Sequence, residues 1–219
     1  MPATLTPDIE IIESGHGGGG IDIPAGGDDD GGGSGGGRPQ IPQRAYFTMI
    51  QLALAGIVMF FMALTSSFLV RKGLGDDWVA FGLPKVLWFN SLILIVSSVT
   101  IEIARRHLRE GALAIFKRWW VITTALGILF VTGQWVAWRN LAAQGVFLAT
   151  NPSSSFFYVL TALHALHLMG GIIFLLVVAL RSWRRSRITR STAAGLAAIY
   201  WHFMDGLWLF LFALLYLGR

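Results

Sequence analysis

FFYVLTALHALHLMGGIIFLLVVAL, residues Phe156–Leu180, runs its whole length without an Asp, Glu, Lys or Arg. A hydrocarbon core of ~30 Å takes about 20 helical residues to cross, and this run is long enough. A barrel strand needs only ~9–11 residues and alternates apolar with polar positions, which this stretch does not do. Four more runs of the same character lie near Ala45–Val70, Lys85–Ala104, Trp119–Trp138 and Ala193–Leu217. Pro84 opens the second run and Asn151-Pro152 precedes the fourth, so helix breakers stand where the ends are expected. The sequence thus specifies an all-α integral membrane bundle of five transmembrane helices.

Composition agrees. Of the 219 residues 54% are hydrophobic and only 13% charged, with a mean hydropathy of +0.61, whereas a soluble domain carries about 25% charged residues. The net charge of +5 would suit a nucleic acid, but the basic residues cluster in short loops beside apolar runs, which is the membrane pattern. Cysteine is absent, which excludes thiol catalysis, disulfides and zinc–thiolate sites. The start, MPATLTPDIEIIESGHGGGG, lacks a basic segment followed by an apolar run, so no cleavable signal peptide is expected.

Residues 1–44 read as a Gly/Asp-rich tail, with GGGG at Gly17–Gly20 and DDDGGGSGGG at Asp28–Gly37. Such a segment buries too little apolar surface to offset its ordering entropy and is expected to be disordered. His16 is read as a solvated tail residue. Residues 45–219 form the membrane domain.

Basic residues orient the bundle. Arg38 and Arg44, then Arg105, Arg106, Arg109, Lys117 and Arg118, then Arg181, Arg184, Arg185, Arg187 and Arg190 fall on one side. Arg71, Lys72, Lys85, Arg139 and Arg219 fall on the other. The amino terminus is therefore expected in the cytoplasm and the carboxyl terminus outside. Trp78, Trp88, Trp119, Trp120, Trp138 and Trp183 lie near proposed helix ends, where interfacial aromatics belong.

An ionisable side chain within a span costs several kcal/mol and raises a functional question. The fourth run carries His164 and His167, and the fifth carries His202 and Asp205. With the two helices antiparallel, His167 and His202 share one depth and His164 and Asp205 another, so a buried polar cluster between them is expected. Haem or metal ligation would need donors at matching depths on facing surfaces, and the three histidines offer no evident complete ligand set. The expected role is interhelical hydrogen bonding or lipid contact. Asn90 and Gln134 fall at comparable depths and are expected to bond across the bundle. Glu102 with Arg105 and Arg106, three and four residues on, has the spacing of interfacial ion pairs. Gly170-Gly171, with Ala162 and Ala165, offers a small-residue surface for close helix approach. No phosphate-cradling glycine loop and no nucleophile–base pair is present. No catalytic, cofactor-binding or metal residue is expected on this chain.

The residues also resemble a family. FFYVLTALHALHLMGG (Phe156–Gly171) looks like the subunit III pattern of haem-copper respiratory oxidases, the cytochrome c oxidase subunit III family. YWHFMDGLWLFLFALLYL (Tyr200–Leu217) is similar to that family's last helix, and NSLILIVSSVT (Asn90–Thr100), Gly127 and Gln134 also fit. The resemblance covers about residues 45–219, and five spans match the short bacterial form. It implies a bundle split by a V-shaped cleft that holds phospholipid, docked on catalytic subunit I beside subunit II in a bacterial inner membrane. Haem and copper would reside in those partners. The implied role is non-redox: supporting proton uptake and protecting the catalytic subunit while the complex reduces oxygen and translocates protons in aerobic respiration. Contacts with other subunits of the electron transport chain fit the same picture; nucleic acid does not.

Two places depart from the pattern. Ala55 and Gly56 stand where many relatives carry Ser-Glu, so any role of that glutamate is not carried over. Gln134, Ala137 and Trp138 stand where some relatives have Glu-Tyr. Three other readings remain beside the oxidase one: a subunit-III-like protein of a bacterial nitric oxide reductase, a b-type cytochrome using the membrane histidines, and a small transporter. The last is weakened by the lack of an internal repeat.

Overall fold

A computed structural model of the chain describes residues 43–74, 78, 82, 84–181 and 187–218. The expected tail up to residue 42, and Trp183, lie outside the described residues. Five helices are present: α1 (Gln43–Leu74), α2 (Val86–Glu110), α3 (Leu113–Ala143), α4 (Pro152–Arg181) and α5 (Arg187–Leu217). All five are long and apolar enough to cross a membrane, and no strand occurs among the described residues.

Each expected helix is found, and the differences lie at the ends. Helix α2 continues past Ala104 to Glu110 and stops at Gly111, whose φ of 84° brings its N–H back onto the carbonyls of His107 and Leu108. Only glycine takes that left-handed turn without strain. Helix α3 then starts at Leu113, so α2 and α3 are antiparallel neighbours joined by a two-residue turn, Gly111-Ala112. Helix α4 begins at Pro152, where a missing N–H costs nothing. Asn151 caps it, its Oδ1 accepting the Ser154 N–H at 2.9 Å and the Ser153 hydroxyl at 2.8 Å.

Packing divides the helices unequally. Helix α2 packs on α3, α3 on α4, α4 on α5 and α5 on α2, closing a four-helix ring, while α1 packs on α4 and α5 alone. Only 6% of the most apolar stretch of α1 is buried, against 39–44% in the other four. Met49, Leu52, Met59 and Leu69 face outward, as lipid-facing positions do. Helix α1 is held to the ring chiefly by Phe61 and Phe68, both fully buried. Phe61 meets the His167 ring edge-on at 5.6 Å, and Phe68 meets Phe156 at 5.6 Å.

Lipid chains are as apolar as leucine, so close van der Waals contact and hydrogen bonds hold such a ring together. Its interior is filled by Trp120, Trp201, Trp208, Phe116, Phe130 and Phe157. Each large ring needs a small neighbour. A Cβ added to Gly171 would lie 2.9 Å from Tyr200 Cε1, whereas one on Gly170 would meet nothing nearer than the Tyr200 hydroxyl at 3.9 Å. Of the expected small-residue pair, Gly171 therefore makes the close approach. Trp120 differs from the expected interfacial role: it is buried among the helices, where its indole N–H donates to the Leu175 carbonyl at 2.9 Å.

Candidate functional site

The polar side chains of α2 and α5 meet along one seam. On α2, Ser91, Ser97, Ser98 and Glu102 recur at intervals close to one or two helical turns, which keeps them near one face. On α5, Trp201, His202, Asp205 and Trp208 do the same. The helices are antiparallel, so the partners run in opposite order. Trp208 donates its indole N–H to Ser91 Oγ at 3.0 Å, and Trp201 donates to Ser97 Oγ at 2.9 Å. Ser98 Oγ lies 2.9 Å from His202 Nδ1 and donates to Asp205 Oδ2. Ser98 is the midpoint of α2, and Asp205 lies within a residue or two of the midpoint of the α5 span Ser191–Leu217.

Towards the end of α2 the seam becomes charged. His202 Nε2 stands 3.9 Å from Glu102 Oε2, and Glu102 pairs with Arg105 at 2.7 Å and with Arg109 at 3.1 Å. The expected pair of Glu102 with Arg105 is formed. Arg106 instead bonds Glu110, four residues further along the same helix, at 3.2 Å. Glu102 and Glu110 side chains are about half exposed, so water screens these ion pairs and they add little to stability.

The four residues expected as one cluster are divided among three places. His202 and Asp205 turn to Ser98 on α2. His164 turns into the ring, fully buried between Phe130 of α3 and Trp208 of α5, with ring centroids at 6.0 and 5.2 Å. Neither of its nitrogens has a hydrogen-bond partner among the described residues. His167 faces α1 and donates from Nδ1 to the Leu163 carbonyl of its own helix at 2.8 Å. Three residues separate His164 from His167, which is not quite a full turn, so the two rings diverge towards different neighbours. Helix depth alone could not show this.

Asn90 and Gln134 are both buried, but the bond expected between them is not formed: the amide atoms of both lack partners among the described residues. The Asn90 amide lies instead against the Gly133 backbone, in the space a side chain there would take. The serines of α2 and the indoles of α5 are the partners that residue-by-residue reading missed. Their signal was available, since serine positions rise along α2 as tryptophan positions fall along α5.

Among the described residues no three His, Cys, Asp or Glu side chains converge as a metal site. What the seam offers chemically is a hydroxyl and an imidazole between a carboxyl at mid-membrane depth and a carboxylate near the end of the bundle.

The sequence model of the family described as cytochrome c oxidase subunit III matches residues 45–218. Cytochrome c oxidase subunit 3 of Synechocystis sp. is 34% identical over 179 residues, covering 76% of this chain and 76% of that protein. The Thermostichus vulcanus protein of the same name is 34% identical, covering 73% and 80%. The probable cytochrome c oxidase subunit 3 of Mycobacterium tuberculosis is 33% identical, covering 76% and 84%. With its five spans and its α2–α5 seam, the chain belongs to the cytochrome c oxidase subunit III family.

Proposed function

We propose that the chain is the non-redox subunit III of an oxygen-reducing, proton-translocating haem-copper oxidase, docked on the catalytic subunit I with subunit II nearby. The family match over residues 45–218 carries this reading. The side-chain chemistry is in keeping with it, since the three membrane histidines have separate surroundings rather than facing one another. The seam between α2 and α5 would then hold the bundle together and present protonatable groups to the membrane surface, in support of proton uptake by subunit I. The b-type cytochrome reading gains nothing from histidines so placed.

Bound phospholipid belongs to the same proposal. An apolar groove of about 300 Å³ lies between α1 and α5, lined by Val58, Phe61, Met62, Phe203, Leu207 and Phe210. A second, of about 390 Å³, lies between α3 and α4 along Trp135, Ala162 and Met169. Both are lined almost wholly by apolar side chains, as an acyl chain requires. A bacterial inner membrane, with residues 1–44 as a cytoplasmic tail and the carboxyl terminus outside, completes the proposal.

Purification in mild detergent under native expression tests it. Haem-bearing subunit I and copper-bearing subunit II should co-purify with the chain at equal stoichiometry. Co-purification with a nitric oxide reductase, or haem bound by the isolated chain, would overturn the reading.

A further inference from the structure

We propose that Asp205 is a proton-storing site at mid-membrane depth, loaded from the membrane surface through Ser98, His202 and Glu102. The oxidase reading supplies only the destination of the proton; the site itself rests on the geometry of this chain. Asp205 is 5% exposed, and its Oδ1 has no partner among the described residues while its Oδ2 takes the Ser98 hydroxyl. An ionised carboxylate so placed, with no cation in hydrogen-bond range among the described residues, is costly, which favours the form that holds a proton. The same Ser98 oxygen lies 2.9 Å from His202 Nδ1. The other ring nitrogen, Nε2, lies 3.9 Å from Glu102 Oε2, within ion-pair range. An imidazole whose two nitrogens face two different acceptor–donor groups is built to pass a proton.

The transfer balances. With Asp205 ionised, the Ser98 hydroxyl proton moves to Asp205 Oδ2, the His202 Nδ1 proton moves to Ser98 Oγ, and a proton from the Glu102 side arrives at His202 Nε2. One proton is lost at the surface, one is gained on Asp205, and the imidazole ends as its other tautomer, which a ring flip resets. Of the charged groups facing this path, Arg105 and Arg109 are engaged by Glu102 at the outer end. His167 of α4 is turned to its own Leu163 carbonyl, Thr123 of α3 is taken by Thr100, and α1 presents Val58, Phe61 and Met62. Among the described residues the neighbouring helices thus offer no competing acid or base, and Glu102 is the carboxylate that joins the path to the surface.

Infrared spectra of the full chain in lipid nanodiscs, alone and in its purified complex, test the proposal. A protonated-carboxyl stretch should be present, should vanish in Asp205→Asn, and should shift promptly in D₂O. His202→Phe should keep the stretch but slow its deuterium shift on the order of a hundredfold, the low end of what a positioned proton-transfer group contributes. Ser98→Ala, a smaller change, should slow it likewise and serves if His202→Phe fails to assemble. A stretch that survives Asp205→Asn, or a shift equally fast in both relay variants, overturns the proposal. Partner co-purification is scored on the same samples, so loss of the oxidase reading and loss of the relay are read separately.

Discussion

Trp201 of α5 donates its indole N–H to Ser97 of α2 at 2.9 Å, and the far edge of the same ring occupies the space where a side chain on Gly127 of α3 would stand. One tryptophan thus fixes three helices. A Cβ on Gly127 would lie 2.6 Å from Trp201 Cη2 and 3.3 Å from Ile172 Cγ1. The indole is rigid and held by its hydrogen bond, so it cannot simply swing aside.

Gly127→Ala should therefore destabilise the bundle by about 1–3 kcal/mol, the usual cost of overpacking a filled core. Gly56→Ala is the control: nothing lies within 4 Å of a Cβ there, and replacing a mid-helix glycine gains up to about 1 kcal/mol of helix propensity. Thermal unfolding of the two variants in one detergent compares them. Equal melting points would show that Trp201 does not pin α3.

Hydrophobic run length and breakers made all five helices legible, because lipid allows few alternatives to a helix. Interior geometry was less legible. Depth along a helix placed His164 beside Asp205, yet rotation about the axis sends His164 to Phe130 and Trp208 and Asp205 to Ser98. Depth follows from counting residues, whereas rotation depends on which helices are neighbours. Sequence order does not reveal that α5 packs on α2. For the same reason Asn90 and Gln134 looked like partners, and the glycine that receives Asn90, Gly133, passed unnoticed.

Reporter fusions at both ends should place the amino terminus in the cytoplasm and the carboxyl terminus outside. Twelve of the 17 Lys and Arg residues fall on the proposed cytoplasmic side, and five spans put the ends on opposite faces. Two termini on one face would mean that one of the five helices does not cross.

Deleting residues 1–37 should leave membrane insertion and assembly unchanged, since a tail of Gly and Asp has little apolar surface with which to stabilise the bundle. The amount of co-purified catalytic subunit measures this. A fall in that amount would identify the acidic run Asp28–Asp30 as a docking segment.

His164→Phe separates packing from ligation. The imidazole is fully buried, both nitrogens lack partners among the described residues, and its neighbours at 5.2 and 6.0 Å are the Trp208 and Phe130 rings. Phenylalanine is somewhat larger but offers the same flat shape to two aromatic neighbours, and it removes a buried polar group that costs about 1–3 kcal/mol when unsatisfied. Stability of the purified complex should hold or rise, with haem bands unchanged in position and amplitude. Were His164 a haem or copper ligand, the same substitution would abolish an absorption band at normal subunit stoichiometry. A drop in stability without spectral change would show that the imidazole has a hydrogen-bonded partner supplied by water or by a neighbouring subunit.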